Sequence, residues 1–181
     1  MMLMFDVFWS FRSPYSYLAT RRLVRLAARC DVDVRVRLVL PIAVRIPGFF
    51  QRVNPLWPPY LLRDTMRIAQ FEGLDYGWPR PDPIIQDFAT REVAAEQPYI
   101  FRLTRLGVDA VERGRGLAFI DEVSQIIWNG QIEGWHEGPH LAEAAGHWGV
   151  PTMVFEGEPF FGQDRIELLV WRMKQHGLVD R

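Results

Sequence analysis

The sequence has little with which to build a disulfide or a metal centre. Its 181 residues include one cysteine, Cys30, which excludes an internal disulfide, a Cys-x-x-Cys redox motif and a cysteine-rich zinc site. His136 and His140 are four residues apart, but Gly138 and Pro139 interrupt any helix there. We therefore expect no metal. Cys30 ends the apolar face of a predicted helix, and we expect its thiol to be buried.

Charge of one sign and long apolar runs are also missing. The net charge of −1 gives no electrostatic reason to bind nucleic acid or an anionic membrane. No apolar run approaches the roughly 20 residues that span a bilayer, and nothing resembles a signal peptide. We therefore expect a cytoplasmic protein without nucleic-acid or membrane partners.

Apolar and aromatic residues, in contrast, are plentiful. They make up 49% of the chain, with seven Trp and twelve Phe, which is ample for a core and favours an aromatic-rich pocket. Residues 3–9 and 32–40 have the pattern of strands, and residues 14–30 that of a helix. A strand, a helix and a strand at this spacing predict a βαβ unit with parallel strands. Ser13 occupies the expected N-cap of the helix and Pro14 its first position.

The middle of the chain has a different pattern. Prolines and a glycine indicate an irregular loop over residues 41–60. Beyond it no good strand is predicted before residue 147, and helices are expected at four places, residues 61–73, 84–106, 116–129 and 139–147.

The pattern of strands returns near the C-terminus. Residues 152–155 and 159–161 predict a β-hairpin, and residues 164–176 an amphipathic helix. The order βαβ, helices, ββα predicts an α/β, thioredoxin-like fold with a helical insertion. We expect residues 1–60 and 148–181 to form the thioredoxin-like domain and residues 61–147 the inserted domain.

Two motifs resemble a known family. "RSPYSYLATRRL" (12–23) and "GVPTMVFEGEPFFGQDRIELL" (149–169) are similar to the 2-hydroxychromene-2-carboxylate isomerases. These are relatives of kappa-class glutathione transferases and share a fold with the DsbA-type oxidoreductases. "RGRGLAFIDEVSQIIWNG" (113–130) is similar to a helix of their inserted domain. The resemblance implies a DsbA-like fold whose site binds glutathione.

The resemblance also implies roles in glutathione binding for particular residues. Ser13 would hydrogen-bond the glutathione sulfur, and Val150, before a cis Pro151, would pair its backbone with the cysteinyl part. Gln163 and Asp164 would hold the γ-glutamyl end. Simpler interpretations stay open for each: a plain N-cap serine, a strand-edge proline and the acidic start of a helix.

Other residues are candidates for the rest of the site. The resemblance places Asn54 in the glutathione site and Arg45 opposite an acidic second substrate. Arg12 is a further candidate for a bidentate contact with a carboxylate, although a solvated surface position is an equal alternative for either arginine. The aromatic residues expected to touch an apolar substrate are Phe49, Phe50 and Trp57.

The chemistry at Ser13 follows from its position. A helix N-terminus favours a thiolate, and a serine hydroxyl there adds a charge-assisted hydrogen bond. No histidine or acid lies nearby in sequence to activate Ser13 as a nucleophile. A serine in this position therefore stabilises a thiolate that another molecule brings.

The function implied is a glutathione-dependent isomerase. It would act by reversible thiolate addition to an unsaturated, aromatic-derived carboxylate, and a homodimer is compatible with the resemblance. A kappa-like glutathione transferase acting on another electrophile is an alternative, because this sequence lacks a stretch of helix that relatives have between His140 and Leu141. A non-catalytic protein that binds a thiol or a peptide is a second alternative.

Overall fold

The structure is a computed structural model and describes residues 3–137, 152–155, 158–161 and 166–176. The chain divides into two compact units, Met1–Gly134 and Trp135–Arg181. Among the described helices, none combines the length and the apolar character that a membrane crossing requires.

The first unit begins with the predicted βαβ arrangement. Strand β1 (Leu3–Trp9) pairs in parallel with β2 (Val32–Leu38), from Leu3 opposite Val32 to Trp9 opposite Leu38. Helix α1 (Pro14–Arg29) connects them, as parallel pairing requires a crossover. Ser13 is the N-cap of α1 and Pro14 its first residue, which confirms the expected helix start.

Five more helices complete this unit. They are α2 (Ile42–Arg45), α3 (Phe49–Arg52), α4 (Trp57–Glu72), α5 (Pro98–Glu112) and α6 (Gly116–Trp128). Helix α1 packs against α4 and α6, while α5 and α6 pack against each other and against β2. The helices expected as an insertion therefore pack directly on the βαβ unit.

Aromatic and aliphatic side chains from these elements form the core. Its most deeply buried members, at most 1% exposed, include Trp9, Phe11, Ile100, Leu103, Ile120, Val123, Ile127 and Trp128. The Trp128 indole nitrogen donates to the Phe11 carbonyl oxygen at 2.9 Å, so a buried polar atom is satisfied between α6 and the end of β1. This bond joins parts of the chain 117 residues apart.

The second unit contains the predicted hairpin. Strands β3 (Thr152–Phe155) and β4 (Glu158–Phe161) pair antiparallel, and helix α7 (Ile166–Gln175) packs on both. Arg172 on α7 donates to Glu158 on β4 at 2.7 Å, which links the helix to the hairpin. The hairpin and the final helix were both predicted.

Two expectations for the middle of the chain were wrong. The stretch 41–60 is not wholly a loop, since it contains α2, α3 and the start of α4; Pro58 and Pro59 lie in the first turn of α4, where a missing N–H costs nothing. The helix expected over 84–106 begins only at Pro98, a favoured first residue. The helix expected at 139–147 lies wholly within residues 138–151, outside the described part.

The expectation for Cys30 was also wrong. The face of α1 that is buried runs through Tyr17, Leu18 and Thr20, whereas Leu26 is 39% exposed and the Cys30 thiol is exposed. The last turn of α1 thus extends beyond the core. The apolar pattern continues along the helix farther than the packing against other elements does.

Two glycines let the backbones of separate segments touch. A Cβ added at Gly77 would lie 2.5 Å from the Gly130 Cα, and the Gly77 N–H donates to the Trp128 carbonyl at 2.8 Å. We expect Gly77→Ala to lower the free energy of unfolding by about 2–3 kcal/mol, because backbone atoms cannot rotate out of the way. Urea denaturation measures this loss.

Gly73→Ala is the matched control for Gly77→Ala. Gly73 has φ +66°, but nothing lies within 4 Å of an added Cβ. Its cost is therefore the left-handed backbone alone, about 1 kcal/mol. A loss at Gly73 equal to that at Gly77 would contradict the close-packing explanation.

Tyr17 makes the free energy of unfolding depend on pH in the alkaline range. Its hydroxyl donates to the Asp75 carbonyl at 2.5 Å, and burial together with the charge of Asp75 raises the pKa of Tyr17 to about 12. Since the unfolded chain has a tyrosine pKa of about 10, this contribution is complete below pH 10 and is lost as the pH rises from 10 through 12. Tyr17→Phe should therefore lose less stability than the unmodified chain over this interval. Urea denaturation at pH 9 to 12 measures both slopes; equal slopes would contradict the assignment.

Candidate functional site

The candidate site is built around the elbow between β1 and α1. Ser13 has extended φ and ψ of −100° and 114°, and its Oγ accepts a hydrogen bond from the Ser16 N–H at 3.2 Å. No described residue accepts the proton of the Ser13 hydroxyl, and no acidic residue lies in the first turn of α1. As far as the described residues go, the helix start thus keeps one O–H donor and the positive end of its dipole.

A cavity of about 350 Å³ lies beside this elbow, and both chain neighbours of Ser13 line it. The aromatic part of its wall comprises Phe50, Trp57, Trp78 and Phe88. The aliphatic part comprises Pro14, Pro58, Leu61 and Leu62. Three polar side chains complete the lining, and these are Arg12, Gln86 and Arg91.

Arg12 is held in the cavity wall by an ion pair with Asp82. Its Nε and Nη2 donate to the two carboxylate oxygens at 3.2 and 3.0 Å, and the two side chains are only 12% and 10% exposed. The Trp78 indole and the Ile84 N–H donate to the same carboxylate at 3.2 and 3.1 Å. The pair is therefore bidentate, mostly buried and locally neutral.

The guanidinium of Arg12 extends an aromatic stack. Its carbon lies 5.6 Å from the Phe50 ring centre and 5.1 Å from that of Trp78. Phe50 in turn stacks on Trp57, with ring centres 5.8 Å apart and planes at 15°. Flat groups thus form this wall, which suits a planar ligand.

A tight turn over residues 86–93 forms another part of the wall. Gln86 and Val93 make an antiparallel bridge, and the Asp87 carboxylate accepts from the backbone of Ala89 and Thr90 at 2.7 and 2.8 Å. These hydrogen bonds lower the pKa of Asp87. Backbone hydrogen bonds therefore fix the turn that carries Arg91.

Arg91 connects this turn to α3. Its Nη1 donates to the Phe50 carbonyl at 3.1 Å, and Gln86 donates to the Arg91 carbonyl at 3.2 Å while accepting from Arg12 at 3.4 Å. Sequence reasoning did not identify Arg91, Gln86, Trp78 or Asp82. No local pattern could have found them, since Arg12 and Asp82 are 70 residues apart.

The other residues expected in the site have varied positions. Arg45 is exposed, donates to the Leu40 carbonyl at 2.9 Å and does not line the cavity. Asn54 is exposed, and its side-chain oxygen accepts from the Leu56 N–H at 2.9 Å in a turn before α4. Phe49 stacks edge-on against Phe50 without lining the cavity. The remaining four, Val150, Pro151, Gln163 and Asp164, lie outside the described residues.

Tyr15, which follows the elbow on α1, does not supply a base. The Tyr15 hydroxyl donates to Asp64 at 2.8 Å; burial and this hydrogen bond raise the pKa of Tyr15 to about 12. Tyr15 therefore keeps its proton at neutral pH. Within the described ranges, no three His, Cys, Asp or Glu side chains form a group that could hold a metal ion. The described residues of the site offer hydrogen-bond donation, positive charge and aromatic contact.

Comparison with known proteins identifies the fold. No protein-family model and no curated protein gives a match. Among solved structures, the selenomethionine form of 2-hydroxychromene-2-carboxylate isomerase matches with a TM-score of 0.51 and 21% identity, over 96% of each chain. The chain therefore has the mixed α/β, thioredoxin-like fold of the DsbA-like type, as predicted.

The ion pair in the cavity wall should contribute strongly to stability. We expect Asp82→Asn to lower the free energy of unfolding by about 3 kcal/mol, because it leaves the buried Arg12 charge unpaired. Urea denaturation followed by tryptophan fluorescence measures the loss.

Asp33→Asn is the control for this substitution. Asp33 pairs with Arg35 at 3.0 Å, but the side chains are 40% and 44% exposed, so we expect a loss of about 0.5 kcal/mol. Similar losses in the two variants would mean that burial does not govern the Arg12–Asp82 pair.

Proposed function

We propose that this protein is a glutathione-dependent enzyme that isomerises an unsaturated, aromatic-derived carboxylate. The observation that carries the proposal is the position of the Ser13 N-cap, whose neighbours Arg12 and Pro14 both line an aromatic cavity. A group bound at the helix start would therefore lie next to a ligand in the cavity. The similarity of fold to a 2-hydroxychromene-2-carboxylate isomerase agrees with this arrangement.

The residues at the elbow fit a thiol cofactor. The Ser13 hydroxyl has a proton to donate, and the helix dipole favours the thiolate over the thiol. When bound, glutathione supplies a nucleophile that adds reversibly to a conjugated double bond and leaves again after the bond has rotated. The task of Ser13 is to donate a hydrogen bond to sulfur and so keep it ionised at neutral pH.

The cavity fits the second part of the proposal. Its volume of about 350 Å³ is at the small end of ligand sites, and its flat aromatic walls suit one or two fused rings. An arginine in the lining, Arg91, attracts an anionic substrate. The task of the cavity is to hold the conjugated ligand beside the helix start, which lowers the entropic cost of addition.

Other parts of the proposal come from the family resemblance. Val150, Pro151, Gln163 and Asp164 are proposed to bind the peptide backbone and the γ-glutamyl group of glutathione. Asn54 and Arg45 are proposed to complete the site from the segment between β2 and α4. A homodimer is proposed on the same basis, and a cytoplasmic location is proposed from the lack of long apolar runs in the sequence.

A kappa-like glutathione transferase is the second candidate. The same thiolate site and the same cavity would serve it, and the difference lies in whether glutathione leaves the product. Product analysis separates the two: unchanged glutathione with an isomerised substrate indicates the isomerase, and a stable conjugate indicates the transferase. Saturable glutathione binding without turnover of any electrophile would instead support a binding protein.

The proposal is tested by titrating the protein with glutathione and measuring thiolate absorbance against pH. We expect saturable binding and a lowered pKa of the bound thiol. Ser13→Ala should raise that pKa by about 1–2 units, the equivalent of one charge-assisted hydrogen bond. Turnover of a chromene carboxylate should fall by about 10- to 100-fold at neutral pH.

Two further variants separate thiolate stabilisation from helix capping. Ser13→Thr keeps the hydroxyl and should retain the low thiol pKa. Ser13→Gly also removes the hydroxyl, but it weakens the helix cap by only a few tenths of a kcal/mol. Because the hydroxyl is absent in both variants, Ser13→Gly should raise the thiol pKa as Ser13→Ala does. An unchanged thiol pKa in both the Ala and Gly variants would refute the role of Ser13. No binding at millimolar glutathione would refute the cofactor.

A further inference from the structure

Two arginines line the cavity beside Ser13, and only one of them has its charge compensated by a carboxylate of the described residues. Arg12 makes a bidentate pair with Asp82, so its guanidinium forms part of the wall without adding net charge. Two of its nitrogens are committed to that carboxylate, and the group lies between the rings of Phe50 and Trp78. Arg12 is therefore poorly placed to give the cavity a preference for anions.

Arg91 is in a different electrostatic position. In the described parts of the chain, no carboxylate lies within ion-pair distance of its guanidinium. Its Nη1 donates to the Phe50 carbonyl, and its Nε and Nη2 make no hydrogen bond to a described residue. The residue is half-buried in the cavity wall. A half-buried guanidinium with unused donors prefers a carboxylate ligand.

The backbone conformation at Arg91 also supports a role for this side chain in binding a carboxylate. Its φ is +61°, a left-handed conformation that normally favours glycine or asparagine. The conformation of the turn therefore does not itself favour arginine at this position. The bond from Arg91 to the Phe50 carbonyl and the bond from Gln86 to the Arg91 carbonyl hold the side chain and its backbone against the cavity.

We propose that Arg91 is the residue that makes this cavity selective for anionic aromatic ligands, by pairing with their carboxylate. Arg12, neutralised by Asp82, then serves as a flat wall for the ring. The inference rests on the proposed function only in taking this cavity as the substrate site. It does not require that glutathione be bound.

The test compares two probes of similar shape and different charge. Trp57 and Trp78 line the cavity, so their fluorescence reports binding of 2-naphthoate and of the neutral 2-naphthalenemethanol, both without glutathione. The unmodified protein should bind naphthoate more tightly. Arg91→Gln should weaken naphthoate binding by about tenfold, the lower range for a charge-assisted hydrogen bond, and leave the alcohol unchanged.

Three other variants sharpen the result. Arg91→Asn also removes the charge and suits the left-handed backbone, so it tests the inference even where Arg91→Gln fails to fold. Arg91→Lys keeps the charge and should retain part of the preference. Arg102→Gln removes an exposed arginine on α5, outside the cavity lining, and should change neither affinity.

Several outcomes would overturn the inference. These are no preference for naphthoate in the unmodified protein, an equal loss for both probes in the Arg91 variants, and loss of the preference in Arg102→Gln instead. A separate glutathione titration distinguishes the two proposals. If naphthoate selectivity depends on Arg91 but glutathione does not bind, the proposed function fails and the inference stands. If glutathione binds but the naphthoate selectivity is absent, the inference fails and the proposed function stands.

Discussion

The site depends on the buried contact between the Trp128 indole and the Phe11 carbonyl. Trp128 stacks on Tyr17 and Tyr76, with ring centres 6.4 and 6.1 Å apart, and meets Trp78 edge-on at 5.3 Å. One side chain thus joins the end of β1, helix α1, the 76–78 segment and the end of α6. A buried N–H must find an acceptor, so these segments have little freedom to shift separately.

The cavity is a consequence of that convergence. Because Phe11 is fixed against Trp128, the next residue, Arg12, meets Asp82 and Trp78 from the neighbouring segment. The segment 82–97 then contacts α3 through the hydrogen bond from Arg91 to the Phe50 carbonyl. An aromatic core and a charged wall are thereby placed beside the helix start, where Ser13 presents its hydroxyl. The chemistry proposed here needs this combination more than it needs any single reactive side chain.

The sequence-based predictions were accurate where the deciding interactions are local along the chain and wrong where they join distant residues. The βαβ unit, the hairpin and the final helix were confirmed, because strand alternation and helix capping act over a few residues. The helix expected over 84–106 was wrong because Gln97, 6% exposed, instead bonds the backbone of Ile85 and closes an irregular turn before Pro98. Cys30 was misplaced because apolar spacing does not show how far the core extends.

The sequence by itself determined the βαβ unit, the hairpin with the final helix, and the helix start at Ser13 and Pro14, since these depend on neighbours along the chain. Only the tertiary structure decided that Arg12 is neutralised by Asp82, 70 residues away, and that Arg91 reaches Phe50 across 41 residues. Such pairs depend on which segments the core brings together. Their charges act over a few ångströms of space, and no spacing along the chain encodes that distance.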